Sequence, residues 1–260
     1  MILARGLGTR MRRDDDGARL DPAQADAARA GLKAMIPVGR PFLDYVLSAL
    51  ADAGFTRACL VIGPEHAAIR DYYAGPHRPS RIDVSFAVQD EATGTANALL
   101  SAEAFTGAGE FATINGDNYY PVEALRLLQD LARPGTVLFD ADALVRESNI
   151  PAERVRDFAY AAVGADGFMT DLIEKPGAGV ADARLISMNL WRFDSTIFHA
   201  CRDVPVSSRG EFELPGAVKL AIERGAKLRA VICRAGVLDL SRRGDIAEVT
   251  RRLRSVSVNL

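Results

Sequence analysis

Short apolar runs alternate with longer amphipathic segments along most of the chain, and this alternation constrains the fold more than any other feature. Five runs of strand length stand in the first 140 residues: Met1–Ala4, Ala58–Ile62, Ile82–Val88, Phe111–Asn115 and Thr136–Phe139. Strands that alternate with helices are typical of parallel sheets, because a helix carries the chain back to start the next parallel strand. The sequence therefore predicts an α/β fold, a Rossmann-like three-layer domain in which helices flank a mostly parallel mixed sheet.

The helical segments between these runs have recognisable ends. The clearest spans Pro41–Gly54, where proline suits the first helical position, glycine suits the stop, and the apolar residues fall on one face. The remaining predictions are helices at Pro121–Ala132, Glu211–Arg224 and Asp245–Arg254, and strands at Phe158–Val163, Phe168–Glu174, Leu185–Phe193 and Leu228–Cys233. Because no linker, repeat or low-complexity tract divides the chain, we expect a single domain over residues 1–260.

Residues 12–32 depart from this pattern, since they are charged at first and then rich in alanine. Asp21 and Pro22 have the order of a helix cap and a first helical residue, which predicts a short surface helix. We interpret the segment as an inserted lid or partner surface.

Composition excludes several classes of partner. A formal net charge of −2 gives no electrostatic reason to expect nucleic acid or an anionic membrane. Cys59, Cys201 and Cys233 are far apart in sequence, which favours buried free thiols in a reducing compartment. No apolar run is long enough for a signal-peptide core or a membrane span, so we expect a cytoplasmic protein. Whether it forms a homo-oligomer is left open.

The segment Gly6–Arg13, GLGTRMRR, has the composition of a phosphate-binding loop. It follows the first apolar run, and ligands of open α/β sheets bind at the carboxyl ends of strands. Glycines let backbone N–H groups approach a phosphate, while Thr9 adds a hydroxyl and Arg10 a guanidinium. The dinucleotide pattern G-x-G-x-x-G fails because its last position is Met11, and the P-loop pattern fails as well. The loop alone is equally compatible with an ordinary strand-to-helix turn.

A second segment favours the phosphate-binding interpretation over an ordinary turn. In this segment Lys33 stands just ahead of IPVGRP. Together with the opening LARGLGTRM, it resembles the start of the sugar-nucleotide pyrophosphorylases, nucleotidyltransferases that join a nucleoside triphosphate to a sugar 1-phosphate. The segments VQDEATGTANALL, NGDNYYP and IEKPG resemble later motifs of that family in the same order, and GEFELPGAVKLAI and GVLDLSRRGDI match more loosely. The resemblance covers nearly the whole chain, without the C-terminal β-helix of some members.

The resemblance implies a Mg²⁺ site and a set of catalytic residues. The sugar phosphate attacks the α-phosphorus of the nucleotide and pyrophosphate leaves, so catalysis consists largely of positioning and charge neutralisation. Asp117 and Asp239 are the implied metal ligands, and Arg10 and Lys33 join Asp117 as the implied catalytic residues. Two alternatives stay open: Asp117 as a turn residue or helix cap before Pro121, and Lys33 as a surface lysine.

Two further groups of residues are implied as ligands of the substrates. Gln89 ends an apolar strand and can offer both a donor and an acceptor to a base edge. The nucleotide-binding residues are expected to be Ala4, Arg5, Gly6, Gly8, Thr9, Arg10, Gln89, Gly94, Thr95 and Gly116. The residues expected to bind the sugar phosphate are Glu174, Lys175, Asn189 and Glu211. The alternative for Glu174 and Lys175 is a surface ion pair at a strand end.

Most departures from the family pattern fall at positions that are expected to contact the base or the sugar. Arg5 replaces a small residue beside the base, and residues 13–32 form a longer loop than usual. Ser187, Asn189 and Trp191 stand where the family often has N-x-G-x-[YF], and Pro215-Gly216 replaces a frequent Thr-Asp. We therefore expect the reaction type to hold and the specificity to be unusual.

The sequence thus predicts a Mg²⁺-dependent enzyme that makes an NDP-sugar or NDP-cyclitol from a 1-phosphate. The segment GTANA resembles the uridylyl-transferring branches of the family, which implies UTP or dTTP ahead of GTP and ATP. Two other hypotheses remain: a non-catalytic relative that senses a nucleotide or sugar nucleotide, and a nucleotidyltransferase for a non-sugar acceptor.

Overall fold

The computed structural model describes residues 1–13, 15, 17–107, 109–174 and 184–260. Within them the strands are β1 (Ile2–Leu3), β2 (Arg57–Ile62), β3 (Asp83–Val88), β4 (Phe111–Asn115), β5 (Asn118–Tyr119), β6 (Gly135–Asp140), β7 (Ala159–Val163), β8 (Met169–Ile173), β9 (Leu185–Phe193), β10 (Arg229–Cys233) and β11 (Leu238–Asp239).

The described helices alternate with these strands. They are α1 (Thr9–Arg12), α2 (Pro22–Ala30), α3 (Phe42–Asp52), α4 (Ala67–Ala74), α5 (Thr95–Ser101), α6 (Glu103–Thr106), α7 (Val122–Gln129), α8 (Ala141–Glu147), α9 (Ala152–Val155), α10 (Ile197–Asp203), α11 (Leu214–Glu223) and α12 (Asp245–Leu253). A single 3₁₀ turn, Lys33–Met35, joins α2 to the chain before α3. No described helix is long and apolar enough to cross a membrane.

A mixed sheet forms the centre of the fold, with the strand order β10-β6-β9-β4-β1-β2-β3. β4, β1, β2 and β3 run parallel to one another, and β10 is parallel to β6. β9 is antiparallel to both of its neighbours, and the β7–β8 hairpin extends the sheet from β9. The predicted α/β class with a mostly parallel mixed sheet is confirmed.

Burial on both faces explains why so short a strand as β1 holds the middle of the sheet. Ile2 pairs with Leu60 on one side and Ile114 on the other, and all three side chains are buried. Central parallel strands covered on both faces are continuously apolar, as these runs are. One apolar cluster includes α3, α7 and α12, and a second includes α5, α10 and α11.

The predicted helices are present with small shifts at their ends. α3 begins at Phe42, one residue after Pro41, because Pro41 forms an isolated bridge with Pro37. α2 begins at Pro22 and carries a complete capping box, in which Asp21 accepts from the Gln24 amide and Gln24 accepts from the Asp21 amide. The short helix predicted within residues 12–32 is therefore confirmed.

Strand order determines which loops meet. The carboxyl ends of β4, β1, β2 and β3 lie side by side, and Gly116, Ala4, Gly63 and Gln89 follow them. Beyond β4, the chain forms a two-stranded antiparallel ribbon from β5 and β11, in which Asn118 faces Asp239. This ribbon brings the last quarter of the sequence to the edge where the opening loop lies.

Candidate active site

A cavity of about 420 Å³ opens at the carboxyl ends of the parallel strands β4, β1, β2 and β3. Each position expected to bind the nucleotide lines it, from the opening loop through Gln89 and Gly94 to Gly116. Lys33 and Asp117 line it as well. We call it the nucleotide cavity, because residues predicted as one set from separate motifs are brought together here.

The two glycines of the opening loop have different structural roles. Gly8 has a left-handed φ of 62°, and a Cβ added there would lie 2.7 Å from the Cα of Gly31 at the end of α2. Gly6 has no atom within 4 Å of its added Cβ and lines the cavity. Glycine at position 8 is therefore required by the fold, whereas glycine at position 6 keeps space open on the cavity side.

This difference predicts that alanine lowers stability at position 8 but ligand binding at position 6. Gly8→Ala is expected to lower the free energy of unfolding by about 1–3 kcal/mol, because the left-handed backbone and the contact with Gly31 both oppose a side chain. Gly6→Ala is expected to leave stability unchanged but to weaken nucleoside triphosphate binding about tenfold or more, because its methyl group projects into open space beside the ligand. Urea unfolding and calorimetric titration measure the two effects. Equal losses of stability in both variants would contradict this assignment.

Gln89 lies on the β3 side of the cavity and has only 2% of its surface exposed. Its Nε2 donates to the carbonyl oxygen of Gly94 at 3.0 Å and to Asn97 Oδ1 at 2.9 Å. Both amide hydrogens are therefore committed within the protein. The acceptor Oε1 is the part of this side chain that remains for a ligand.

The loop that carries Gly94 and Thr95 is joined to the segment before α11. The backbone of Phe212 donates to Thr93 and accepts from Ala96, and an added Cβ at Gly94 would overlap the Phe212 carbonyl. The Thr95 hydroxyl accepts from the Leu214 amide at 2.8 Å. The Thr95 hydroxyl thus holds the start of α11 at the cavity wall.

Lys33 and Asp117 form an ion pair across the cavity. Lys33 Nζ lies 2.8 Å from Asp117 Oδ2, and both side chains are largely buried, with exposed fractions of 16% and 27%. Asp117 follows β4 and does not cap the next helix, because α7 begins after Pro121 without a side-chain cap. The structure therefore argues against Asp117 as a helix cap and against Lys33 as a surface lysine, whereas Asp117 does lie in a turn, between β4 and β5.

Asp239 lies beside Asp117 through the β5–β11 ribbon, in which the Leu240 amide donates to the Asp117 carbonyl oxygen at 2.9 Å. Its carboxylate is buried and accepts from the Ser241 hydroxyl at 2.8 Å. Burial, and then the neighbouring carboxylate of Asp117, raise the pKa of Asp239 above its usual range. The two carboxylates therefore repel one another across the β5–β11 ribbon.

Arg154, from α9, is the buried counter-ion of Asp239. Its guanidinium pairs with the Asp239 carboxylate through Nη2 and with Asp245 Oδ1 through Nη1, the latter at 2.7 Å. A buried cation that joins two carboxylates offsets part of their desolvation cost and fixes their orientation. Nothing in the sequence around Arg154 marks it, because its partners lie 85 and 91 residues away.

The donor set at Asp117 and Asp239 suits a divalent cation. Mg²⁺ binds oxygen ligands and commonly takes only one or two carboxylates, with substrate phosphates and water completing its coordination. Asp117 and Asp239 repel each other across paired strands and offer two carboxylates of the number that such a site commonly uses. Among the described residues, no group of three or more His, Cys, Asp or Glu side chains is arranged to hold a metal ion by itself.

A second cavity of about 530 Å³ adjoins the first, and we call it the acceptor cavity. The residues that line both cavities are Arg10, Thr95, Asn115, Asp117, Arg209 and Glu211. Glu174, Asn189 and Asp239 line the acceptor cavity but not the nucleotide cavity. Lys175, the remaining residue expected to bind the sugar phosphate, lies outside the described residues.

Asn189 has a left-handed backbone with φ of 57°, which is uncommon for a residue other than glycine. The family pattern often has glycine at this position, and asparagine is among the side chains that tolerate this conformation best. The Asn189 Oδ1 accepts from Trp191 Nε1 at 3.2 Å. The substitution thus keeps the backbone bend and adds an amide to the cavity wall.

Arg209 is a lining residue that sequence reasoning missed. It pairs with the buried Glu213, four residues later, and lies where the two cavities meet. Its position in SRGEFE, two residues before Glu211, was the available signal. A guanidinium at this junction can bind phosphate oxygens from either side.

Comparison with known proteins agrees with the geometry. A family profile described as "Nucleotidyl transferase" matches residues 16–254. UTP–glucose-1-phosphate uridylyltransferase AglF of Haloferax volcanii is 29% identical over 254 residues, which cover 97% of this chain and 95% of that protein. Glucose-1-phosphate thymidylyltransferase of Streptomyces antibioticus is 27% identical over 255 residues, which cover 96% of this chain but 65% of that protein.

Solved structures share the fold at lower sequence identity. A UDP-glucose pyrophosphorylase complexed with UDP-glucose superposes with a TM-score of 0.76 at 17% identity, and the match covers 98% of each chain. The UTP-bound UGPase of Acinetobacter baumannii gives a TM-score of 0.74 at 17% identity, covering 99% of this chain and 94% of the other.

Proposed function

We propose that this chain, which belongs to the nucleotidyl transferase family, joins a nucleoside triphosphate to a sugar or cyclitol 1-phosphate with Mg²⁺ and releases pyrophosphate. The observation that carries the proposal is that Arg10 and Asp117 line both the nucleotide and the acceptor cavity, with Lys33 paired to Asp117 from the nucleotide side. An enzyme that joins two anionic substrates needs cations and a carboxylate metal ligand at that point.

Each residue then has a role in an in-line displacement. An oxygen of the acceptor phosphate attacks the α-phosphorus, the bond from that phosphorus to the bridging oxygen breaks, and pyrophosphate leaves. Arg10 and Lys33 neutralise the charge that develops on the phosphates. Asp117 and Asp239 would hold Mg²⁺, which when bound orients the phosphates and offsets their charge.

The acceptor cavity has the side chains that a polyhydroxylated phosphate requires. Glu174, Glu211 and Asn189 supply acceptors for hydroxyl groups, and Arg209 supplies a guanidinium for the phosphate. UTP or dTTP is the favoured nucleotide, a choice supported by the names of the uridylyl- and thymidylyltransferase relatives. A sensing role without catalysis is less well supported, because Arg10 and Asp117 line both cavities and Lys33 pairs with Asp117.

The test is a measurement of pyrophosphate release with Mg²⁺, across the common nucleoside triphosphates and a panel of hexose, cyclitol and non-sugar phosphates. We expect one strongly preferred pair that contains a sugar or cyclitol 1-phosphate. Preference for an acceptor such as phosphocholine would replace the sugar assignment. Absence of turnover across the panel, with nucleotide binding intact by calorimetry, would favour the sensing role.

A further inference from the structure

Arg5 stands two residues after β1 and lines the nucleotide cavity. Its side chain is only 9% exposed. Its Nε lies 3.4 Å from Glu65 Oε1, and its Nη2 lies 3.5 Å from Glu65 Oε2. One edge of the guanidinium is therefore held by a carboxylate beyond the end of β2.

The other edge of the Arg5 guanidinium is uncommitted. Nη1 is buried and has no hydrogen-bond partner in the described part of the chain. A guanidinium carries only donors and stays charged at any working pH. A buried donor without a partner is unfavourable, so an acceptor atom on a bound ligand would restore a hydrogen bond that the protein alone leaves unmade.

The sheet order places this donor on the base side of the cavity. Glu65 lies beyond β2, in the direction of β3 and Gln89, whereas the Lys33–Asp117 pair lies beyond β4 on the other side of β1. The Lys33–Asp117 pair and the Arg5–Glu65 pair thus lie on opposite sides of the first strand. Arg5 and Gln89 face the end of the cavity away from the metal ligands.

Gln89 supplies the complementary group. Its amide hydrogens bond Gly94 and Asn97, which leaves Oε1 to accept from a ligand. A base that satisfies both side chains carries a ring N–H beside a ring carbonyl on one edge. Uracil, thymine and guanine have this pair, whereas cytosine and adenine have a ring nitrogen acceptor beside an amino group.

We propose that Arg5, positioned by Glu65, is the nucleobase-specificity residue: its guanidinium donates to the carbonyl oxygen at position 4 of uracil or thymine, or position 6 of guanine, where cytosine and adenine carry the amino group, while Gln89 Oε1 accepts the adjacent ring N–H. The inference rests on the proposed function, since it takes this cavity as the nucleotide site. Selectivity has two sources. A carbonyl base gains a charge-assisted hydrogen bond, and an amino base turns donor hydrogens toward a guanidinium that cannot accept them.

The test compares UTP with CTP, which differ only at this edge, by calorimetric titration in the presence of Mg²⁺. The wild-type protein is expected to bind UTP about 10- to 100-fold more tightly than CTP. Arg5→Ala and the volume-conserving Arg5→Met are expected to lose most of the UTP affinity and to leave CTP within about threefold. Glu65→Gln is expected to give an intermediate ratio. Arg10→Ala is the matched control, since loss of a phosphate contact weakens both nucleotides equally.

An unchanged UTP-to-CTP ratio in both Arg5 variants overturns the assignment, as does an equal loss for both nucleotides or a wild-type protein that binds neither. The outcomes also separate this inference from the proposed function. Selective UTP binding without pyrophosphate release on any acceptor would remove the enzyme assignment and keep the role of Arg5. Pyrophosphate release with an unchanged UTP-to-CTP ratio in the Arg5 variants would keep the enzyme assignment and remove the role of Arg5.

Discussion

Asp117→Asn is expected to lower the rate of pyrophosphate release by about 10³-fold or more while the protein stays folded. The amide keeps the size of the side chain but removes the charge that would hold Mg²⁺ and that pairs with Lys33. Because the Asp117 side chain is 27% exposed and lies at a cavity, in the turn between β4 and β5, its neutralisation leaves the apolar core unchanged.

The rate is measured with saturating nucleotide and acceptor, beside a thermal unfolding curve for each variant. Asp83→Asn is a suitable control, because Asp83 lines neither cavity and forms an exposed pair with Arg78, at 3.1 Å. We expect the control to keep its activity within about threefold, as surface pairs contribute little. Near-wild-type turnover of Asp117→Asn would remove the metal assignment.

Arg154→Met is expected to lower the free energy of unfolding by about 3–5 kcal/mol, the largest stability effect anticipated for a polar side chain in this protein. The substitution removes the cation between Asp239 and Asp245 and leaves two buried carboxylates without it. Breaking a buried ion pair from one side is costly because the remaining charges stay desolvated.

Urea unfolding at neutral pH measures this loss. Arg156→Met is the matched control, since Arg156 lies two residues away and is exposed. The double variant Arg154→Met/Asp245→Asn is expected to recover part of the lost stability, because it removes one of the uncompensated charges. A loss no greater than that of Arg156→Met would show that Arg154 does not stabilise the carboxylates.

Much of the nucleotide site could be predicted from sequence because its residues occupy local positions with a general meaning. Gly6, Gly8 and Arg10 follow one apolar run, Gln89 ends another, and Asp117 follows a third. In parallel sheets the carboxyl ends of strands share one edge, so residues at strand ends converge without any detailed knowledge of packing. The structure places these residues around one cavity.

The acceptor side was less predictable, because its walls come from segments whose meeting depends on the whole fold. The segment that carries Arg209 and Glu213 joins the Gly94–Thr95 loop through hydrogen bonds of the Phe212 backbone and of the Leu214 amide. Asn189 keeps a left-handed backbone that a strand prediction alone does not anticipate, since asparagine within an apolar run carries no such signal.

Local sequence was enough to predict the alternation of strands and helices, the capped helix that begins at Pro22, and the loop and strand-end positions that line the nucleotide cavity. These follow from periodicity and backbone preference, which act over a few neighbouring residues. Long-range packing, in contrast, sets the pairing of Arg154 with Asp239 and of Arg5 with Glu65. Those pairs join residues 85 and 60 positions apart. Their partners are selected by burial and strand order, which no local pattern records.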